Sequence, residues 1–343
     1  MGDGMTANAM DYITLLMPSI HDVARVAKVS TATVSRVINK HASVRGTTRE
    51  RVQAAIKALH YRVDVSARLL RTSQTRLVLA LVPDLSNPYY AEVVRGMATV
   101  ARQHDYELLL CETMVSDARE RAYVQMLTSR LYDGVVCMDP FTTQRLVSEQ
   151  VKDLPWVACS EFVPDDKVPH VSIDHRLAAM DAVLYLLAKG RRRIAFVNSD
   201  EKYLYARQRR EGYVDALRQA GVALRGDFIQ TVGGVDFSLG ELAARRLLAL
   251  EERPTAIVAV SDTLAIGAIK ACTASGLKVP QDMAVVGFDD IPLASIFEPA
   301  LTTIGQPRRE LGERAMHLLL LRFSGVNPPS ETLAHTLITR ASA

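Results

Sequence analysis

Apolar residues in the first part of the chain recur at helical spacing. Between residues 20 and 39 the pattern breaks at 28–30 and resumes in a new phase, which predicts a helix, a tight turn and a second helix. A further apolar stripe at 52–59 follows Thr47-Thr48, whose hydroxyls are suited to capping a third helix. Three short helices in roughly forty residues can share one small core.

From about residue 76 the pattern changes to short continuous apolar runs that alternate with amphipathic stretches. Runs of this kind indicate parallel strands covered by helices on both faces, and their two successive series predict two doubly wound lobes. The predicted strands are 77–83, 107–111, 134–138, 156–160 and 170–174, followed by 193–198, 227–232, 256–261 and 284–289. The predicted helices include 89–103, 118–130, 142–151, 176–189 and, near the end, 311–323.

The charge is distributed unevenly between these two parts. Residues 18–76 hold twelve basic and three acidic side chains, a net charge of +9, whereas the whole chain carries only +3. Residues 77–343 therefore carry −4, because residues 1–17 contribute two acidic side chains. A basic helical module on an acidic body is typical of a protein that binds the phosphates of nucleic acid.

Composition narrows the class of protein further. The 343 residues are 48% apolar and contain no run long enough to span a bilayer. Residues 1–17 lack a basic segment and a cleavage site for export, so we expect a cytoplasmic protein with a disordered extension, or a true start at Met17. The four cysteines have no metal-ligand spacing, which predicts buried reduced thiols, no metal and no cofactor.

The start of the second predicted helix has the side chains expected of a DNA-reading surface. Ser30 is placed to cap it, and small polar residues with one arginine then face outwards, where the arginine can donate two hydrogen bonds to guanine in a major groove. A capped helical pair inside a larger core is the alternative, which the charge and the third helix disfavour. The predicted DNA contacts here are Ser30, Thr31, Ala32, Thr33, Ser35, Arg36 and Asn39.

The segment DVARVAKVSTATVSRVIN, with ALHY and SARLL after it, resembles the headpiece and hinge of the lactose-repressor/galactose-repressor (LacI/GalR) family of bacterial transcription regulators. The similarity continues in PTAIVAVSDTLAIGA and VPQDMAVVGFDD. It implies that residues 62–75 form a hinge helix on operator DNA, with Arg68 and Leu70 as contacts and Leu70 wedged into the minor groove. Arg62-Val63-Asp64 departs from relatives that carry proline there, and a flexible linker is the alternative.

Polar and aromatic side chains follow the predicted strands, where ligands of doubly wound sheets bind. Tyrosines, carboxylates and an arginine suit a small, hydroxyl-rich and partly planar ligand. Position at the strand ends and the family resemblance together predict eleven effector contacts. They are Tyr89, Tyr90, Ser160, Glu161, Asp174, Tyr203, Tyr205, Arg209, Val235, Asp262 and Asp289. Arg209 could instead form a structural ion pair, and one of Asp289 and Asp290 is expected to be a cap or turn residue.

Within the family, the motifs around these residues are most similar to those of its cytidine-responsive members. We therefore expect a nucleoside effector such as cytidine, with a pentose or another sugar as the alternative, because the family varies its effector through a few pocket residues. Whether the effector would act as inducer or corepressor is left open.

These observations predict a helix-turn-helix headpiece joined to an α/β two-lobed body that resembles periplasmic binding proteins. The expected protein is a homodimeric repressor of a pseudo-palindromic operator and not an enzyme; a solute-binding protein for transport and a sugar or nucleoside enzyme are the rivals. The predicted domains are 1–17 as an extension, 18–61 as headpiece, 62–75 as hinge and 76–343 as body, with lobe one at about 76–174 and 304–335 and lobe two at about 175–303 and 336–343.

Overall fold

The computed structural model describes residues 18–38, 41, 43–61, 74–113, 131–139, 154–164 and 168–343. They belong to two units that divide after Thr75. Several predictions fall outside the described residues: the extension at 1–17, the contact at Asn39, the hinge contacts Arg68 and Leu70, and the helices at 118–130 and 142–151.

The first unit contains the three predicted helices, α1 (Ile20–Ala27), α2 (Thr31–Ile38) and α3 (Gly46–Ala58). They share the small core that the apolar spacing predicts, because one side of each helix is buried against the other two. Its buried members are Val23, Ala24, Ala27, Val34, Val37, Val52 and Ala55.

Two of these three helices begin with a side-chain cap from a residue close in sequence. Ser19 and Asp22 form a reciprocal capping box at the start of α1. The hydroxyl of Ser30 accepts the Thr33 N–H at 3.2 Å, as predicted for α2. The prediction for α3 is wrong, because this helix begins before Thr47 and its N-cap residue, Arg45, makes no side-chain cap.

The second unit consists of two lobes, each built on a six-stranded sheet. Lobe one contains β1 (Leu77–Val82), α4 (Pro88–Gln103), β2 (Glu107–Glu112), β3 (Gly134–Cys137), β4 (Trp156–Cys159), β5 (His170–Ile173), α10 (Arg308–Phe323) and β11 (Glu331–Leu333). Lobe two contains α5 (His175–Ala188), β6 (Ile194–Asn198), α6 (Leu204–Gln219), β7 (Ile229–Thr231), α7 (Phe237–Leu248), β8 (Ala256–Ala259), α8 (Asp262–Ala274), β9 (Ala284–Asp289), α9 (Pro292–Ile296), β10 (Thr302–Gly305) and β12 (Thr336–Ile338).

The strand orders are β11-β5-β4-β3-β1-β2 in lobe one and β12-β10-β9-β8-β6-β7 in lobe two. Every pairing is parallel except that of β12 with β10, which confirms the predicted doubly wound sheets. The nine predicted strands are present, although β7 is shorter than predicted because a 3₁₀ turn occupies Gly226–Phe228. The short strands β10, β11 and β12 were not predicted from the apolar pattern.

The chain passes between the lobes at three places: after β5, after β10 and between β11 and β12. We predicted its return to lobe one at about residue 304, but β10 pairs with β9 as far as Gly305. The return therefore follows Gly305, and it places Gln306 at the junction of the lobes.

Two smaller expectations concern thiols and membranes. All four cysteines are thiols outside any disulfide; three are buried as predicted, whereas Cys111 on the edge strand β2 is only half-buried. Among the helices that the structure describes, none combines the length and apolar character needed to cross a membrane.

Candidate DNA-reading surface and effector cavity

The predicted DNA-reading residues lie on the outer side of α2. Ser30, Ala32 and Arg36 are exposed, while Thr31, Thr33 and Ser35 are partly exposed. Val34 and Val37 point into the core, so the amphipathic pattern fixes which face of α2 is presented. This arrangement leaves an arginine and several small polar side chains accessible to a partner.

A contact that the sequence analysis missed supports the turn between α1 and α2. The guanidinium of Arg51, on α3, donates to the carbonyl oxygens of Ala27 at 2.8 Å and Lys28 at 3.2 Å. These carbonyls end α1, and Lys28 has a positive φ of 51°. Arg51 therefore holds the turn against the third helix through these hydrogen bonds. Local sequence patterns do not predict this contact, because Arg51 is more than twenty residues from the turn.

In the second unit, a cavity of about 240 Å³ lies where the carboxyl ends of the two sheets face each other. Its wall contains residues that follow β1, β4, β6 and β8, together with Asp289 at the end of β9, as expected for doubly wound sheets. Nine of the eleven predicted effector contacts line it: Tyr89, Tyr90, Ser160, Glu161, Tyr203, Tyr205, Arg209, Val235 and Asp289.

Arg209 lines the cavity and is 4% exposed. Its guanidinium lies over the ring of Phe288, 3.4 Å from the centroid, and near Tyr205 at 4.8 Å. One terminal nitrogen donates to the Val260 carbonyl, and another lies 3.8 Å from the carboxylate of Asp289. Arg209 is thus both an ion-pair partner and a cavity residue, which combines the two alternatives that the sequence left open.

A hydrogen-bonded chain joins the lobes at the back of the cavity. The Gln306 amide nitrogen donates to Asp289 at 2.7 Å, and the Tyr89 hydroxyl lies 3.4 Å from the Gln306 carbonyl oxygen and 2.6 Å from the Ser160 hydroxyl. Burial raises the pKa of Asp289 to about 6, although Arg209 opposes this effect. Gln306 was not among the predicted cavity residues, because its role depends on where the chain crosses between the lobes.

Glu161 is 5% exposed, and it makes the second connection between lobes. Its two carboxylate oxygens accept the backbone N–H groups of Leu204 at 3.0 Å and Tyr205 at 2.8 Å. Burial raises the pKa of Glu161 to about 7, and these two amide donors hold it below the value that burial alone would give.

Four tyrosines provide the aromatic walls. The rings of Tyr203 and Tyr205 stack with centroids 5.7 Å apart, and those of Tyr89 and Tyr90 meet edge to face at 5.2 Å. Burial raises the pKa of Tyr203 to about 12 and the pKa values of the other three above the usual range. All four hydroxyls are therefore neutral groups that can donate or accept a hydrogen bond.

His175 also lines the cavity and was missed, although it directly follows the predicted contact Asp174. Its Nδ1 faces the guanidinium of Arg209 at 3.2 Å and accepts from it, which assigns the ring proton to Nε2, 3.4 Å from the Ser172 hydroxyl. Burial, with the nearby charge of Arg209, lowers the pKa of His175 well below its usual value. His175 is a neutral ring in this cavity.

The two remaining predicted effector contacts, Asp174 and Asp262, are not among the residues that line this cavity. Asp174 is exposed and caps α5 by accepting the Leu177 N–H at 2.9 Å. Asp262 is completely buried beneath the cavity, where it accepts the Ile291 N–H at 2.8 Å and the Thr303 hydroxyl at 2.6 Å. Both aspartates follow strands, but a residue in that position can also cap the next helix or lie in a buried turn.

Acidic side chains outnumber permanently charged basic ones among the described residues that line the cavity. Among the described lining residues, Arg209 is the one basic side chain that is always charged, against the carboxyl groups of Asp84, Glu161 and Asp289. Over the same described ranges, no group of three or more His, Cys, Asp or Glu side chains is arranged to hold a metal ion. The carboxyl groups can accept hydrogen bonds from a ligand, and the tyrosine rings can stack on a planar one.

A three-helix unit with an exposed polar face and a separate two-lobed unit that contains a ligand-sized cavity are the two parts of a ligand-responsive DNA-binding regulator. Residues 19–64 match the model of bacterial regulatory proteins of the lacI family. Residues 75–341 match the model of periplasmic binding proteins and the sugar-binding domain of the LacI family. The chain belongs to the LacI family of transcriptional repressors.

Three relatives place it within that family. The chain is similar to the HTH-type transcriptional repressor CytR of Escherichia coli K12, with 36% identity over 94% of this chain and 96% of the relative. It is 36% identical to the ribose operon repressor of the same organism, over 95% of this chain and all of the relative. A solved lac repressor dimer, bound to operator and the anti-inducer ONPF, matches with a TM-score of 0.85 and 26% identity over 95% of this chain and 99% of that chain. These relatives are repressors and not enzymes.

Proposed function

We propose that this repressor binds an unphosphorylated nucleoside such as cytidine in the cavity between its lobes and that the nucleoside controls its affinity for an operator. The observation that carries the proposal is the cavity itself, in which neutral tyrosines and buried carboxylates surround a single paired arginine. Tyrosine rings can stack on a base, while the Asp289 carboxylate can accept hydrogen bonds from amino or hydroxyl groups.

The state of Arg209 argues against a phosphorylated ligand. Its charge is already shared with Asp289 and two aromatic rings, and further carboxyl groups line the cavity. A phosphate would therefore enter an environment with an excess of acidic groups, whereas a neutral nucleoside would not. A free pentose remains the second candidate, because the ribose operon repressor is as similar in identity as CytR.

On DNA, we infer a homodimer in the cytoplasm whose two headpieces read the halves of a pseudo-palindromic operator. Thr31, Ala32 and Arg36 would face base edges, with Ser30, Thr33 and Ser35 beside them. The hinge at 62–75 would order on the operator, as the family resemblance implies. A nucleoside that binds the two arrangements of the lobes with different affinity would shift this equilibrium, typically by about 1–3 kcal/mol.

The test is a thermal-shift screen of cytidine, uridine, adenosine, ribose, cytidine monophosphate and ribose 5-phosphate, followed by operator release with each compound that binds. We expect cytidine to raise the melting temperature and change operator affinity, and cytidine monophosphate to bind at least about tenfold more weakly. A response to ribose alone would establish the sugar alternative. Preferential binding of the phosphate esters would contradict the assignment of the cavity.

A further inference from the structure

Helix α6 differs from its neighbours in how its first turn is capped. The helices α4, α5, α7 and α8 are each capped by a side chain of their own N-cap residue, Asn87, Asp174, Asp236 and Ser261. The N-cap residue of α6 is Tyr203, which makes no such bond. The first amides of α6 therefore require an acceptor from elsewhere.

Glu161 supplies that acceptor from the opposite lobe. It follows β4 of lobe one, and its carboxylate bonds to the first two amides of α6 in lobe two at 3.0 and 2.8 Å. A carboxylate at the positive end of a helix is favourable, and it satisfies two donors at once. Separation of the lobes would break both hydrogen bonds.

The same contact fixes the position of an aromatic wall. Tyr203 and Tyr205 lie on either side of the capped amide of Leu204, and their rings stack on each other. The Tyr205 hydroxyl is further held by the Ser199 hydroxyl at 2.8 Å. Where α6 begins therefore determines where both rings lie in the cavity.

We propose that Glu161 is a positioning residue that clasps the two lobes: its carboxylate caps α6 across the cleft and holds Tyr203 and Tyr205 in place for the effector. In this role both carboxylate oxygens are used by backbone amides, so Glu161 shapes the cavity without being a principal contact of the ligand. This replaces the direct contact that the sequence analysis predicted for Glu161.

Hydrogen exchange of the full-length protein, followed by mass spectrometry of peptides that cover 200–210, measures the clasp without any effector. We expect Glu161→Ala to speed exchange of the Leu204 and Tyr205 amides at least about tenfold, because both lose their acceptor. Glu161→Gln retains one carbonyl acceptor, and it should protect one of the two amides. The matched control is Glu201→Gln, since Glu201 is near the same helix start but pairs with Arg210 within lobe two.

Cytidine titration of the same variants tests the consequence, and this arm rests on the proposed function. We expect cytidine affinity to fall about tenfold in Glu161→Ala, less in Glu161→Gln, and not at all in Glu201→Gln. Unchanged exchange in Glu161→Ala would overturn the clasp, as would loss of cytidine affinity while both amides stay protected, which would make Glu161 a direct ligand contact. If Glu161→Ala does not fold, Glu161→Gln and the shorter Glu161→Asp decide by the same exchange measurement. Failure of the unaltered protein to bind cytidine would contradict the proposed function and leave the exchange result standing.

Discussion

Asp289 and Asp290 are adjacent carboxylates with different partners, and this difference can be tested directly. Asp289 lines the cavity and faces Arg209, whereas Asp290 pairs with Arg340 at 2.7 Å. Both have positive φ, which asparagine tolerates. We expect Asp289→Asn to weaken cytidine binding by about 1.5–3 kcal/mol, since a hydrogen bond to a charged group is lost. Calorimetry should show this loss with operator affinity unchanged, and equal losses in Asp290→Asn would contradict the assignment.

Arg36 is the exposed arginine of the DNA-reading surface, and its removal should alter sequence preference. If it donates two hydrogen bonds to a guanine, Arg36→Ala should cost about 1–3 kcal/mol and relax discrimination at one base pair in each half-site. Binding selections with randomised operators would measure this. A uniform loss across all sequences would instead make Arg36 a phosphate contact.

The buried carboxyl groups also predict how effector binding depends on pH. Of these groups, Glu161 has a pKa of about 7 where it bridges the lobes, above its ordinary value because burial disfavours the charged form. If binding closes the cleft, it must take up protons, so cytidine affinity should rise several-fold as pH falls from 8 to 6. His175 opposes this rise in affinity. Burial on closure lowers the pKa of its ring, so the ring releases a proton when the cleft closes. Calorimetric titration with cytidine should show that Glu161→Gln abolishes or reverses this dependence of affinity on pH. An unaltered rise in affinity at low pH would contradict the assignment of proton uptake to Glu161.

Among the helices, the pair α4 and α10 packs so closely that glycine is required at the contact. A Cβ on Gly312 would lie 1.9 Å from the backbone carbonyl oxygen of Val93, and one on Gly96 would lie 2.0 Å from that of Arg309. The backbones would have to separate, so we expect Gly312→Ala to lower the free energy of unfolding by about 1–3 kcal/mol. Urea unfolding measures this, with Gly226→Ala as the control because no atom lies within 4 Å of its added Cβ. Equal stability of the two variants would contradict the packing argument.

At the same scale, the sequence predicts regular elements well and their ends less well. Continuous apolar strands such as β1 and β9 are recognisable because both faces are buried, whereas β11 and β12 are three-residue strands with exposed positions. Nine residues that line the cavity were predictable because parallel strands end at one edge. Asp174 and Asp262 share that position but cap a helix and anchor a buried turn. Gln306, His175 and Arg51 act through partners distant in sequence, which no local pattern reveals.

Over the whole molecule, the separation of charge gives the two binding activities different responses to salt. Residues 18–76 carry +9 and would release counterions from DNA, whereas Arg209, the arginine among the described residues that line the cavity, is already paired with Asp289. If six or more phosphates are neutralised, operator affinity should fall by about 10³-fold or more between 50 and 200 mM salt, while cytidine affinity should change by less than about twofold.

Fluorescence anisotropy with labelled operator and calorimetry with cytidine, in the same buffers, would measure both slopes. The control is Arg245→Ala, an exposed arginine of the body that pairs with Glu241, because removing it should leave the slope for DNA unchanged. A change in that slope would mean that the body also contacts phosphates. A cytidine affinity that falls as steeply as operator affinity would mean that the effector is recognised mainly through its charge, contrary to the neutral ligand that the paired Arg209 favours.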